Sequence, residues 1–361
     1  MTSPTQPAAV GNHPDFERPG VPSAPRAAEP VLDGPRWLPS TITRTTWWLA
    51  LASLISEIGI IVTGGAVRLT QSGLGCPTWP KCTPESLTNT PEMGIHGVIE
   101  FGNRTLTFVL GIIALAMLLW VWRLRRSHPP LFWMSFGLLL GIPAQAGLGG
   151  ITVLTDLNPW VVAGHFMVSA LMVCVATLLV NRVGLEWRVR SEPGTPSRLV
   201  DGPTTSLSRG LAWVVFISGW AAVYLGTVVT GTGPHGGDAL APRHDFDPLL
   251  VTRIHVVPVY IMVAAAVLLM IVVLRQDSSR RQRMSTVRVL LVVLFQGLIG
   301  YVQHFNGLPI LLVLLHMLGA ALIVWAMTNA LDRQRSTYSA RMVDDVESGP
   351  VQMAEAEASH T

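Results

Sequence analysis

Residues 145–165 read QAGLGGITVLTDLNPWVVAGH and residues 296–316 read QGLIGYVQHFNGLPILLVLLH. Both open on Gln-x3-Gly and close on a histidine at the same twenty-residue separation (145 to 165, 296 to 316). The residues between are mostly Leu, Ile, Val, Ala and Gly, so retention of both polar partners marks an internal repeat. A histidine within a membrane span is costly unless it faces the bundle interior, which makes it a functional residue by default. Two of them in equivalent places imply two haem or metal sites, one in each half.

Composition identifies the solvent. Of 361 residues, 50% are hydrophobic and 13% charged, and the mean hydropathy is +0.45, values that fit a polytopic membrane protein and exclude a soluble two-domain enzyme. Eight apolar segments are long enough to cross about 30 Å of hydrocarbon: 47–67, 95–122, 131–154, 160–180, 211–232, 250–274, 288–304 and 309–330. About forty residues rich in Ala, Pro and Gly precede the first, and no small-residue cleavage site follows it, so it reads as a span and not a cleaved signal. The expected fold is an all-α membrane protein of eight helices in two pseudo-symmetric four-helix bundles. Its parts are a disordered N-terminal tail (1–46), an N-terminal half (47–180), a linker (181–210), a C-terminal half (211–332) and a disordered tail (333–361).

Arginine gives the orientation. Arg36 and Arg44, Arg123, Arg125 and Arg126, Arg182, Arg188 and Arg190, Arg275, Arg280, Arg281 and Arg283, and Arg333 and Arg335 all fall on one side of an eight-span chain. That side is expected to be cytoplasmic, with both termini inside a plasma membrane. Topology thus accounts for the basic residues, and the net charge of +3 gives no indication of nucleic acid. His96, His165, His255 and His316 then lie within about two turns of the outer ends of their spans. His13, His128 and His360 fall on the inner side as solvated side chains, and His235, His244 and His304 lie near the outer surface without an assigned ligand role.

The halves match elsewhere. Thr70-Gln71-Ser72-Gly73 follows the first span as Thr230-Gly231-Thr232-Gly233 follows the fifth, in a parallel repeat. His255 precedes Gln296 by 41 residues and Asn103 precedes Gln145 by 42, so Asn103 is the counterpart of His255. A histidine from each of two facing helices can hold a six-coordinate haem in a bundle, an arrangement that His255 and His316 fit as iron ligands; the alternative is a pair of buried histidines hydrogen-bonded across helices. In the first half His165 faces Asn103, an indifferent ligand, and a site with one strong ligand suits an exchangeable substrate. His96 shares a helix face with Asn103 but lies about 10.5 Å further along the axis. Glu100 is on that face too, and a carboxylate there is a proton donor or acceptor, or else a partner of Arg104 or Arg253. Those two arginines sit where haem propionates would point. Glu57 in the first span stays outside this core set. Cys76 and Cys82 share the first outer loop, where an oxidising exterior permits a disulfide. A structural clamp and a redox role are both open. Cys174 is a small apolar residue of the fourth span.

The runs VTGGAVRLTQSGLGCPTWP (62–80), EFGNR (100–104), QAGLGGITV (145–153) and GLPILLVLLHMLGA (307–320) resemble the haem A synthase family over roughly residues 47 to 330. The resemblance implies oxidation of the C8 methyl of haem O to a formyl group, giving haem A for terminal oxidases. It also implies a cofactor haem B held by His255 and His316 and a substrate haem near His165, Asn103, Arg104 and His96, with Glu100 catalytic. The family's Glu-x-x-His-Arg pattern is Glu100-Phe101-Gly102-Asn103-Arg104 here, without the histidine. Its cysteine pair is matched by Cys76 and Cys82, whereas Pro234-His235-Gly236-Gly237-Asp238 contains no second pair. Expected partners are membrane lipid, a haem O synthase, an electron donor and, in a homo-oligomer, a second copy; no nucleic acid is expected. The rival reading is a non-catalytic dihaem b-type electron-transfer cytochrome, against which the loss of one strong ligand argues. A transporter with repeated halves would need broken helices, and the outer clustering of histidines does not favour it.

Overall fold

Short polar side chains start the apolar helices. The Thr43 hydroxyl accepts from the Thr46 N–H at 3.3 Å while the Thr46 hydroxyl accepts from the Thr43 N–H at 3.1 Å, which satisfies two donors that a helix start leaves orphaned. Thr205 with Ser208 and Ser279 with Gln282 repeat this reciprocal cap. Asp247 accepts from the Leu250 N–H at 2.7 Å ahead of Pro248.

The computed structural model describes residues 35, 37–191, 201–202 and 204–335. The elements are α1 (Arg44–Leu69), α2 (Gly94–Trp120), α3 (Pro129–Leu154), α4 (Pro159–Ser191), α5 (Ser206–Thr232), α6 (Pro248–Arg275), α7 (Arg280–Phe305) and α8 (Ile310–Arg335). Among the described residues there is no strand, and all eight helices are long and apolar enough to cross a bilayer. The protein is an all-helical, multi-pass membrane protein. Pro143 in α3 and Pro258 in α6 lie inside helices, each within one turn of a residue assigned to a site, Gln145 and His255.

Helix neighbours follow one pattern twice. α1 packs on α2, α2 on α3, α3 on α4 and α4 back on α1; α5, α6, α7 and α8 close a second ring in the same order. The rings meet through α1 on α8, α4 on α5 and α4 on α8. Exchanging the halves converts the first of these contacts into the second and leaves the third unchanged, which is compatible with a two-fold relation. The turns repeat as well. Leu157 and Leu308 both adopt positive φ (60° and 59°), and their N–H groups donate to Thr152 and Gln303 carbonyls, each at 2.8 Å. The described residues from 35 onward form one compact unit and do not separate into two domains.

Val173, Ala176, Leu179 and Val183 of α4 and Val324, Met327 and Ala330 of α8 are buried in one core. At the basic end of the seam Arg182 forms a bidentate pair with Asp332 (2.6 and 3.1 Å), and Asn181 donates to the same carboxylate at 3.0 Å. At the opposite end, which carries the cysteines, the Gly73 N–H donates to the Gly237 carbonyl at 2.8 Å. There buried His244 packs at a tilt against Trp160 at the start of α4 (ring centroids 4.2 Å apart, planes 54° apart). Burial, reinforced by the Arg68 guanidinium, holds the His244 imidazole below the usual histidine range.

Four expectations need correction. The linker placed at 181–210 is shorter, because α4 continues to Ser191 and α5 begins at Ser206. Hydropathy stops at the first charges, but Asn181 and Arg182 are paired and Trp187 stacks on Trp47 at 5.7 Å, so the polar end stays helical. α7 starts at Arg280 and not near 288, under the Ser279 cap, and α8 runs to Arg335, into the expected tail. His128 is not a solvated side chain: its Nε2 lies 2.8 Å from buried Glu186. His13, His360, Arg36, most of the N-terminal tail, residues 336–361 and the middle of the linker lie outside the described residues.

Candidate functional site

The two repeated glutamines do the same local work. Gln145 Nε2 on α3 donates to the His165 carbonyl at 3.1 Å, and Gln296 Nε2 on α7 donates to the His316 carbonyl at 2.8 Å. Gln145 also donates to the Ser169 hydroxyl. Each bond crosses a helix pair inside an apolar bundle, where an unpaired amide would be costly, and fixes the backbone that carries the histidine.

Glycine on a neighbouring helix lies against each ring, which an added Cβ would crowd at Gly300 and Gly226 and meet in ordinary contact at Gly149. A Cβ at Gly149 would come within 3.5 Å of His165 Cε1, at Gly300 within 3.2 Å of His316 Cε1 and at Gly226 within 3.3 Å of His255 Cε1. The fourth member of the set is Gly64, whose Cβ would lie 3.9 Å from Asn103 Nδ2. Asn103 and His255 each lie near a glycine of the first helix of their half, Gly64 on α1 and Gly226 on α5. α2 and α4, like α6 and α8, are diagonal in their rings and do not touch. Each pair therefore faces across its bundle: Asn103 with His165, His255 with His316.

Both pairs line one continuous cavity of about 1890 Å³, more than the ~300–1,000 Å³ of an ordinary small-molecule site. The residues suit haem iron: His165, His255 and His316 all line the cavity, and imidazoles are apt axial ligands. Among the described residues no cluster of three or more His, Cys, Asp or Glu offers a conventional metal cage.

Glu100 lines the cavity with one oxygen committed. Arg104 Nε lies 2.5 Å from Glu100 Oε1, whereas Oε2 is buried with no hydrogen-bond partner. The other Arg104 nitrogens leave the cavity: Nη2 donates to the carbonyls of Cys76 (3.1 Å) and Thr78 (3.0 Å), and Nη1 to those of Pro80 (3.4 Å) and Lys81 (3.3 Å). Cys76 and Cys82 are joined in a disulfide that closes this loop. Arg104 therefore clamps the loop onto Glu100 while lining the cavity. Arg253 lines the cavity with no hydrogen bond or ion pair to any described residue. His96 is set apart: it is exposed, outside the cavity lining, with Nδ1 2.9 Å from the Ser72 hydroxyl.

Sequence reading missed Arg68. Its Nε donates to the His235 carbonyl at 2.5 Å and its Nη2 to Thr230 at 2.9 Å, so a residue of the first half is bonded to the second while lining their shared cavity. An arginine at the end of an apolar span was the available signal.

A family described as cytochrome oxidase assembly protein (COX15-CtaA) matches residues 46–328, a stretch that takes in the eight helices almost entirely. The chain belongs to this family. Relatives in the family include proteins named heme A synthase. The one from Symbiobacterium thermophilum is 29% identical over 186 residues, 51% of this chain and 59% of the relative. The one from Lysinibacillus sphaericus is 29% identical over 191 residues, 51% of this chain and 58% of the relative. The one from Rhizobium johnstonii is 24% identical over 328 residues, 77% of this chain and 86% of the relative. In the first two matches the chain spans less than two thirds of the relative's length.

Proposed function

We propose that the chain is a haem A synthase, which oxidises the C8 methyl of haem O to a formyl group. The observation that carries this reading is the asymmetry of two otherwise equivalent sites. One has facing imidazoles, His255 and His316; the other has His165 facing Asn103, with the open oxygen of Glu100 beside it. A permanent electron carrier gains from fixed coordination at both sites, whereas a substrate site needs a ligand that comes and goes.

Turning a methyl into a formyl group breaks two C–H bonds and adds one oxygen atom; as a half-reaction, the methyl and one water give the formyl group, four protons and four electrons, which an oxidant from outside the chain takes up. His255 and His316 hold a cofactor haem B, which supplies the redox centre when bound. His165 holds the substrate iron from α4, and Asn103 leaves the opposite face weakly coordinated. Glu100, turned by Arg104, accepts a proton at Oε2. The apolar lining keeps bulk water from the reacting edge. Arg104 acts as a positioning residue, and His96 stays with Ser72. The arginine-rich end is cytoplasmic, with both termini, and the two sites lie toward the extracytoplasmic side of the cell membrane. Haem O synthase, an electron donor, membrane lipid and, in a homo-oligomer, a second copy are the partners that fit this reading.

Expression with a supply of haem O, followed by extraction and chromatography of the haems, tests it. Haem A or its hydroxylated intermediate is expected. Recovery of unmodified haem alone overturns the synthase and favours the dihaem b-type cytochrome.

A further inference from the structure

Glu57 has no role in the chemistry above. It stands midway along α1, its residue only 4% exposed, and it lines the cavity with no hydrogen bond or ion pair to any described residue. A carboxyl group there is costly unless something polar meets it. Its position is defined by counting. Glu57 precedes Gly64 by seven residues, which is 700° and nearly the same helix face, two turns or about 10.5 Å toward the basic end. Gly64 backs Asn103, so Glu57 lies beneath the N-terminal site. The same seven-residue step from Asn103 reaches Leu110 and from His165 reaches Met172, both lining the cavity. Neither supplies Glu57 with a partner.

The cavity is thus polar at two levels. Toward the disulfide end are the cations Arg68 and Arg253 and the open oxygen of Glu100; toward the basic end are the Glu57 carboxyl on α1 and the Ser169 hydroxyl on α4, the latter already bonded to Gln145 and to the His165 carbonyl. A prenylated haem has the same polarity. Its propionates share one edge with the C8 methyl beside them, and its hydroxyl-bearing prenyl chain leaves the opposite edge. Carboxylates drawn to the arginines bring the methyl toward Glu100, three residues from Asn103 toward the disulfide end, and turn the hydroxyl toward Glu57.

We infer that Glu57 receives the hydroxyl of the substrate's prenyl-bearing side chain and so distinguishes haem O from haem B in the N-terminal half. This rests on the synthase reading. A carboxyl group offers an acceptor in either protonation state, and a site built around a substrate hydroxyl rejects the analogue that leaves its polar group unpaired.

The test uses purified full-length protein with its cofactor haem in place, titrated with haem O and with haem B and followed in the Soret band. Wild type, Glu57→Gln and Glu57→Leu are compared, and an unchanged low-spin cofactor spectrum shows that each variant is folded. Glu57→Leu should weaken haem O binding about tenfold while leaving haem B binding unchanged or tighter, and Glu57→Gln should retain most of the preference. An equal loss for both haems, or no loss for either, overturns the assignment to the hydroxyl. Failure of the wild type to take up haem O overturns the synthase reading together with it, whereas uptake of haem O indifferent to Glu57 overturns this inference alone.

Discussion

Glu100 Oε2 and Asn103 Oδ1 are both buried beside the N-terminal site without partners, and they call for different substitutions. Glu100→Gln keeps the shape and the bond from Arg104 but cannot accept a proton. Haem O should remain bound while its oxidation slows by roughly 10²- to 10⁴-fold, read as bound haem against turnover. Asn103→His restores the facing imidazole, and with only Gly64 behind it it should be tolerated and raise the low-spin fraction of the N-terminal haem. An unchanged spectrum would show that the side chain does not reach the iron. The proposed equivalence of Asn103 and His255 rests on residue count, which a helix converts into position. The work of Arg104 was not legible in the sequence, because its donors end on carbonyls of a loop whose path no periodicity encodes. His96 shows the same limit: helix phase gave its face, but not Ser72 as its partner.

Glycines set imidazole positions at the level of helix pairs, and two glycines three residues apart on α7 separate that effect from helix propensity. A Cβ at Gly297 would meet no heavy atom within 4 Å, whereas one at Gly300 would stand 3.2 Å from His316 Cε1. Gly300→Val should displace the ring and abolish the low-spin cofactor spectrum, and Gly297→Ala should leave it intact; equal spectra from the two variants would remove glycine from the account. In the loop, thiol alkylation should label neither Cys76 nor Cys82 before reduction and both after it, with labelling of both beforehand counting against the disulfide. The eight helices were readable from apolar length, but their basic ends were not. At α4 and α8 the helix outlasts the hydropathy because Asn181, Arg182 and Asp332 satisfy one another. No single-segment reading anticipates a partner 150 residues away.

Across the whole molecule the seam between the rings governs stability. Asp332→Ala removes the carboxylate that Arg182 and Asn181 share across the seam, and it should lower stability, measured as a fall in the thermal midpoint in detergent. His244 adds a pH dependence at the other end of the seam. Its folded pKa lies below its ordinary 6.5, so the unfolded chain binds the proton first. The contribution is complete above pH 6.5 and is lost as pH falls toward the folded value. His244→Phe should flatten the midpoint between pH 7 and 5; an unaltered slope would assign that dependence to other groups. The repeat itself was legible from two Gln-to-His intervals, but the pairing of α1 with α8 and of α4 with α5 was not, since a repeat does not state how its copies meet. That pairing has a consequence for covalent connectivity. Two rings whose mutual contacts are unchanged by exchange are arranged like subunits of a symmetric dimer, joined here by one peptide segment. Co-expressed as two chains, one ending at Ser191 and the other beginning at Asp201, they should co-purify as a heterodimer through a tag on either, with the seam and not the linkage holding them together.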